Sequence, residues 1–213
     1  MEQQFTKLMY LIRHGETEPN RNQIIQGSGI YACLNSLGRE QAKDFFLTYK
    51  EVDFDQVYTS ALKRTSESVQ DFLQKGIPHA SIRELNEISW GVKDGTKINF
   101  SEQGEYDALL KSWKSGQLDQ SFEKGESPNQ VAIRLQRALN EILNRSAEKK
   151  ILVCMHGRAM RILLCLLLEV PLTEMEQFLH SNLCLYILGW DGMKWQVLKA
   201  NDTAHLKLGI PAN

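Results

Sequence analysis

The order of apolar and polar positions predicts strands that alternate with helices. Apolar runs at 8–12 and 151–155 are typical of strands buried on both faces. Residues 35–50 and 128–143 instead repeat apolar positions at helical spacing. Such alternation indicates a layered α/β fold with a mainly parallel sheet.

The weaker patterns complete the expected order of elements. Strands are expected at 55–59, 81–88, 183–188 and 194–199, and helices at 60–74, 101–113 and 158–168. The 81–88 strand is expected to run into a loop, and the regular pattern weakens between 91 and 125. Without repeats or linker-like stretches, the 213 residues fit one domain spanning 1–213.

Composition and charge exclude several classes of protein. Hydrophobic residues make up 42% and charged residues 24%, as in soluble globular proteins. A net charge of −1 provides no overall field that would attract nucleic acid or an anionic membrane. We therefore expect neither partner, and we expect a monomer or a homodimer.

The cysteines and apolar runs indicate a cytoplasmic setting. Cys33, Cys154, Cys165 and Cys184 form no Cys-x-x-Cys pair, and the last three lie among apolar neighbours. The first apolar run is too short for a secretory signal, and the run at 162–168 is too short for a membrane span. We expect a cytoplasmic protein with reduced thiols.

Two His-Gly pairs, each directly after an apolar run, are the main chemical signal. His14 follows residues 8–12, and His156 follows residues 151–155. If the two strands are neighbours, both histidines face one crevice at the carboxyl edge of the sheet, where ligands bind in such folds. Together with Arg13 and Glu16, the two histidines suit an anionic phosphate group.

Five stretches in family order make the chain similar to the histidine phosphatase superfamily, the phosphoglycerate-mutase-like branch 1. This resemblance implies a three-layer α/β/α sandwich with a lid-like insertion, here at 95–130. The matching stretches are Arg13–Thr17 with Asn20; Gln26-Gly27 with Leu34–Gly38 and Gln41-Ala42; Thr59–Arg64; Leu85–Glu87 with Gly91 and Asp94-Gly95; and His156-Gly157.

The resemblance implies a phosphatase that acts through a phosphohistidine at His14. A neutral imidazole needs no deprotonation near pH 7 to act as a nucleophile. Arg13 and Arg64 are the expected phosphate clamps, since a guanidinium can hold two oxygens at once. Lys63 is expected to point to solvent instead. Taken alone, His14 could equally be a structural histidine that ends a strand.

His156 is expected to be the second reactive histidine. Protonated, it would donate to a phosphoryl oxygen, and the amide of Gly157 at a helix start would add a donor. The alternative is a core histidine with satisfied hydrogen bonds. The remaining histidines lack this context: His79 and His180 are expected to be structural or exposed, and no role follows for His205.

Glu87 is the expected proton donor to the leaving oxygen, since an alkoxide departs poorly. It would then act as base toward water, while nearby Glu84 is interpreted as a surface charge. The family pattern also places Asn20 and Gly27 at positions that contact phosphate. Glu16 is expected to support the site or to lie at a helix start, and not to take part in the reaction.

The sequence contains no metal-ligand motif such as His-x-His or Glu-x-x-His, so we expect activity without metal and without a cofactor. Three positions depart from the family pattern. Arg158 stands where relatives have a small or amide residue, Lys93 replaces an aromatic residue, and Asp94 replaces a glutamate. An extra positive charge at the pocket rim is one expected consequence.

Hydrolysis of small phosphorylated metabolites is the leading hypothesis. A cofactor-dependent phosphoglycerate mutase, which would need 2,3-bisphosphoglycerate, is the nearest rival, but mutases tend to carry a longer lid that excludes water. A non-catalytic phospholigand-binding or scaffolding member would be expected to lose a reactive position. The expected lid contains residues that could contact substrate or pack the lid onto the body: Phe100, Tyr106, Lys111, Trp113, Lys114 and Phe122.

Overall fold

A six-stranded mixed sheet organises the chain. The computed structural model describes residues 5–97 and 100–207, without the side chains of residues 100–103. The sheet order is β3-β2-β4-β1-β5-β6, in which β1 to β4 run parallel, β5 pairs antiparallel with β1, and β6 pairs antiparallel with β5. The strands are β1 (Lys7–Arg13), β2 (Gln56–Thr59), β3 (His79–Ser81), β4 (Lys150–Met155), β5 (Leu185–Trp190) and β6 (Trp195–Asp202).

Helices flank the sheet and form the outer layers of the α/β fold. Three short 3-10 segments accompany them at Arg83–Leu85, Gly91–Lys93 and Leu172–Gln177. The α-helices are α1 (Glu18–Arg21), α2 (Ser36–Tyr49), α3 (Lys63–Ser68), α4 (Gln70–Gln74), α5 (Phe100–Lys114), α6 (Pro128–Asn144) and α7 (Gly157–Leu168).

Alternate residues of the central strands pack into two hydrophobic cores, one on each face of the sheet. On β4, Val153 packs in the cluster that includes α6 and α7, whereas Leu152 and Cys154 pack with Phe45 of α2 and Phe72 of α4. Because both faces are covered, the strand needs apolar residues at every position. This explains the unbroken apolar run and confirms the predicted α/β fold.

Two predicted elements differ from the structure. The predicted strand at 81–88 is wrong, since β3 ends at Ser81 and a 3-10 segment follows. The predicted helix at 60–74 starts later, at Lys63, and is interrupted at Val69. Ser60 does not cap it, because the Ser60 hydroxyl accepts from the Leu62 amide within the preceding turn.

The predicted lid-like segment carries α5 and packs through aromatic side chains. Trp113 is buried and stacks on Trp90 at 5.8 Å between ring centroids, and Tyr106 lies 5.1 Å from Trp90. The side chain of Phe100 lies outside the described residues. Cys154, Cys165 and Cys184 are buried, as predicted. No helix among residues 5–97 and 100–207 is long and apolar enough to cross a membrane.

Candidate active site

Three neighbouring strands of the sheet end at one point and bring distant residues together. Arg13 of β1 is in register with Met155 of β4, and Thr59 of β2 with Cys154. The residues that follow these strands, His14, His156 and Ser60, therefore meet at the carboxyl edge. The rings of His14 and His156 lie 5.2 Å apart between centroids, so the predicted crevice exists.

His14 is held as a neutral imidazole in one defined tautomer. It is only 3% exposed, and its Nδ1 lies 2.7 Å from the carbonyl oxygen of Gly15. A carbonyl only accepts, so Nδ1 carries the proton and Nε2 keeps its lone pair. Burial, followed by the charges of Arg64 and Arg13, holds the pKa of His14 well below its usual range. His14 is therefore neutral at neutral pH, with its one ring proton on Nδ1.

His156 is also neutral, with both ring nitrogens engaged. The Nε of Arg64 donates to its Nδ1 at 3.2 Å, so the ring proton lies on Nε2 and is donated to the Ser60 hydroxyl at 2.8 Å. Burial, Arg64 and His14 lower the pKa of His156 well below its usual range. The sequence predicts a protonated donor here; in this arrangement the ring is neutral, and its role toward phosphate stays a prediction.

Arg64 faces inward from α3, as the sequence predicts, while the Lys63 side chain is 44% exposed. The Arg64 guanidinium donates to the carbonyls of Ile30 at 2.9 Å and Gly27 at 3.3 Å. Burial lowers the pKa of Arg64 to about 10, so it stays charged at neutral pH. These bonds fix a cation beside His156.

Arg13 presents a donor that the described part of the chain leaves unsatisfied. Its Nε is buried and has no hydrogen-bond partner among the described residues, while NH1 contacts Nδ1 of His180 at 3.2 Å. A buried unpaired donor is costly, and an anion would satisfy it. His180 lines the same cavity, a position that the sequence did not predict, and its structural role stays a prediction. His79 is exposed and bonds Thr59, and His205 bonds the Leu183 carbonyl among aromatic rings.

Glu87 is fixed at the first turn of α7. Its carboxylate accepts from the backbone amides of Ile88, Arg158 and Ala159 at 2.8–3.0 Å. The free amides at a helix start favour an anion at this point. Glu87 is 7% exposed and borders the cavity that contains His14. The structure thus places it beside the histidines, and its proton-transfer role stays a prediction.

An arginine that the sequence analysis missed holds the Glu87 segment. Arg134 of α6 donates to the carbonyl oxygens of Glu84, Asn86 and Glu87 at 2.6, 2.8 and 3.2 Å. It also makes two bonds to the carboxylate of Glu126, at 2.8 and 2.9 Å. Nothing local in the sequence marks Arg134, although Glu126 lies in a stretch that resembles the family's later motifs.

The two predicted phosphate-contacting residues have different surroundings. Asn20 borders the cavity, and its Oδ1 accepts from the Thr17 amide and hydroxyl. Gly27 is not among the residues that line the cavity, and its amide donates to Asp94 at 2.8 Å. A Cβ at Gly27 would lie 2.2 Å from the Asp94 carboxylate. Gly27 therefore supports Arg64 through its carbonyl, and its amide is engaged elsewhere.

The cavity at the sheet edge is small and rich in cations. Its volume is about 230 Å³, below the ~300–1,000 Å³ of pockets for drug-sized ligands. Among the described residues, no group of three or more His, Cys, Asp or Glu side chains could hold a metal ion. The lining residues are Arg13, His14, Asn20, Ile24, Ile25, Gln26, Glu87, Trp90, Tyr106, Gly157, Arg158, Arg161 and His180.

Two neutral histidines and two arginines meet at this edge of the sheet, and comparison with known proteins identifies the family. The profile of the histidine phosphatase superfamily (branch 1) matches residues 9–203. The chain belongs to this superfamily.

Relatives within the superfamily carry different names. The chain is 27% identical over 207 residues to a protein of Erwinia tasmaniensis named probable phosphoglycerate mutase GpmB, covering 93% of this chain and 94% of that one. The phosphoserine phosphatase of Entamoeba histolytica, solved with 3-phosphoglyceric acid, superposes with a TM-score of 0.82 at 25% identity, covering 94% and 99%. The alpha-ribazole phosphatase of Shigella flexneri shares the fold at 23% identity, with a TM-score of 0.80 and coverage of 96% and 100%.

Proposed function

We propose that this chain is a phosphomonoesterase that hydrolyses small phosphorylated metabolites through a phosphohistidine at His14. The observation that carries the proposal is the state of His14. Its imidazole is neutral, its Nδ1 is bonded to Gly15, and its Nε2 keeps a lone pair within a cation-rich cavity. Phosphoryl transfer depends mainly on positioning and on positive charge around the oxygens, and Arg13 and Arg64 supply that charge.

In the first half of the reaction, Nε2 of His14 forms a bond to phosphorus while the ester P–O bond breaks. The departing oxygen takes a proton from Glu87 and leaves as an alcohol. Arg13 and Arg64 bind the equatorial oxygens, and His156 donates to one of them once the substrate's charge has raised its affinity for a proton. Nδ1 of His14 keeps its proton and its bond to the Gly15 carbonyl, so the ring of the phosphohistidine carries a positive charge that the phosphoryl oxygens offset.

In the second half, water attacks the phosphohistidine. Glu87 accepts the water proton, a new P–O bond forms, and the N–P bond breaks with its electron pair returning to Nε2. Inorganic phosphate then leaves. Three backbone bonds fix Glu87 at the cavity that contains His14, where its carboxylate can accept the water proton. For the first half, Glu87 takes a proton from solvent as the negatively charged phosphate binds, and so enters that step as the acid.

Trapping the phosphoenzyme tests the proposal directly. The enzyme is mixed briefly with a radiolabelled phosphate ester, quenched, and assayed for acid-labile, base-stable label. Wild type should carry label, and His14→Ala should carry none and lose at least about a thousandfold in turnover. His79→Ala is the matched control, since His79 is exposed outside the cavity. Turnover of His14→Ala within tenfold of wild type would remove His14 as nucleophile.

A phosphoglycerate mutase is the second candidate, because the Erwinia tasmaniensis relative bears that name. Both reactions use the same phosphohistidine, and they differ in whether water or a second hydroxyl receives the phosphoryl group. The predicted short lid favours water. Phosphate release from 3-phosphoglycerate is compared with its isomerisation in the presence of 2,3-bisphosphoglycerate. Isomerisation well above hydrolysis would establish the mutase instead.

A further inference from the structure

Beyond His14, the cavity is lined by two arginines that the proposed phosphate contacts do not use. Arg158 and Arg161, both on α7, line the cavity and both pair with Glu176. One carboxylate offsets one guanidinium, so this cluster keeps a net positive charge. Arg13 adds a further cation at the same wall.

Aromatic rings hold Arg158 in a fixed orientation. Its guanidinium carbon lies 5.5 Å from the ring centroid of Trp113 and 6.0 Å from that of Trp90, and the Tyr106 hydroxyl lies 3.5 Å from NH2. Arg158 is only 7% exposed. Stacking on aromatic faces stabilises a desolvated guanidinium and positions it before any ligand arrives.

Arg161 completes the cluster from the next turn of α7. Its Nε donates to the Phe178 carbonyl at 3.0 Å, and NH1 pairs with Glu176. A guanidinium has more N–H donors than these two bonds use. Burial, followed by the neighbouring charge of Arg158, lowers the pKa of Arg161.

His180 connects this cluster to the phosphate site. Its Nδ1 lies 3.2 Å from Arg13, and burial together with the charges of Arg13, Arg161 and Arg158 lowers its pKa. Because His14 and His180 border the same cavity of about 230 Å³ as Arg158 and Arg161, a single small molecule can reach both His14 and the arginine pair.

We propose that Arg158 and Arg161 form a subsite for a second anionic group, so that the substrate is a small phosphate monoester that also carries a carboxylate or a second phosphate. The inference rests on the proposed phosphatase function and names its substrate class. Glu176 holds the two guanidiniums in place and weakens the subsite by offsetting part of its charge.

Matched substrates test the class. Phosphate release is measured for glycerol 1-phosphate, 3-phosphoglycerate and the bisphosphate of propane-1,3-diol, with p-nitrophenyl phosphate as a general reference. The kcat/KM for 3-phosphoglycerate or for the bisphosphate should exceed that for glycerol 1-phosphate by about tenfold or more, since a charge-assisted hydrogen bond contributes on that scale. Whichever of the two is preferred identifies the second group as carboxylate or phosphate.

Two substitutions with opposite expected signs separate recognition from structural support. Arg161→Gln should raise KM for the doubly anionic substrates about tenfold more than for glycerol 1-phosphate. Glu176→Gln removes the competing charge and should lower KM for the same substrates severalfold. Arg145→Gln is the matched control, because Arg145 is 45% exposed and pairs with Glu141 on the surface.

The outcomes distinguish this inference from the proposed function. The subsite would be overturned if both variants changed KM equally for all alkyl substrates, or if the wild-type enzyme showed no preference for the doubly anionic substrates over glycerol 1-phosphate. Either result would leave the proposed phosphatase activity in place. Absence of phosphate release from every ester, including p-nitrophenyl phosphate, would overturn the phosphatase itself.

Discussion

Replacing Arg134 by methionine should uncouple Glu87 from the site without touching substrate. Arg134 makes three bonds to the backbone carbonyls of the Glu87 segment and two to Glu126. Methionine keeps the apolar stem of the side chain and removes all five bonds. The perturbation therefore acts on the position of Glu87 and on folding stability together.

The size of the stability loss follows from those contacts. A bond to a charged donor contributes about 1.5 kcal/mol at the low end of its range, so three carbonyl bonds sum to roughly 4.5 kcal/mol. An open cavity of about 340 Å³ borders Arg134 and Glu126, so water can replace part of what is lost. We expect a net loss of about 2–3 kcal/mol, or a Tm lower by roughly 5–10 °C.

The functional loss should depend on the leaving group. A shift of about 1 Å in a catalytic group can cost on the order of a hundredfold, and an alkyl ester needs the Glu87 proton far more than a nitrophenyl ester does. Urea unfolding gives the stability change, and kcat on a sugar phosphate and on nitrophenyl phosphate gives the second readout. Arg137→Met is the matched control, since Arg137 is an exposed arginine on the same helix.

A stability loss for Arg134→Met below about 0.5 kcal/mol, the usual range of surface substitutions, would refute the reasoning. Equal losses of kcat on both esters would contradict the positioning role even if stability falls, because a general loss of folded structure affects all substrates alike. Arg134→Lys should recover part of the stability but little of the leaving-group selectivity, since an ammonium cannot reproduce the planar fork.

Three further outcomes are expected. In single-turnover phosphoenzyme formation, Glu87→Gln should lose far more rate on a sugar phosphate than on nitrophenyl phosphate; equal losses would remove Glu87 as the acid, and Glu84→Gln would be the next variant to measure. Activity should survive dialysis against EDTA, because arginines can balance the phosphate charge, and a loss restored by magnesium or zinc would contradict this. Unfolding free energy should fall as pH drops below about 6.5, since His14 and His156 have lowered pKa values in the fold and take up protons on unfolding, each contributing a slope of about 1.4 kcal/mol per pH unit. Denaturant melts at pH 7.0 and 5.5 measure that slope, and equal stability at both would count against neutral buried histidines.

The parts of the site that the sequence predicts are those that lie next to strand ends. An apolar run followed by His-Gly is a local pattern, and parallel strands place their carboxyl ends at one edge of a sheet. His14 and His156 meet for this reason. Arg64 could be assigned because it lies in the first turn of the helix that follows β2, where a side chain can face the same edge.

The parts that could not be predicted depend on contacts between distant segments. The interruption at Val69 accompanies the Ser68 hydroxyl, which donates to the Arg64 carbonyl and accepts from the amide of Gly15. His180 reaches Arg13 from a segment 167 residues away in the sequence. No local pattern carries such information, because the chain brings these groups together only when the sheet and helices have packed.

Arg13 and Arg64 have opposite effects on the stability of the fold at low pH and on the reactivity proposed for His14. Their charges help keep both imidazoles neutral, which makes acid conditions unfavourable for the fold but leaves His14 with a free electron pair at neutral pH. A bound phosphate group would offset the charges of Arg13 and Arg64 and so weaken the effect that lowers both pKa values. His156 has an electron pair on Nδ1 that Arg64 now occupies, and turning that guanidinium toward the phosphate would release it. Substrate binding itself would then provide the protonated His156 that the sequence predicts, at the moment when charge builds up on the phosphoryl oxygens.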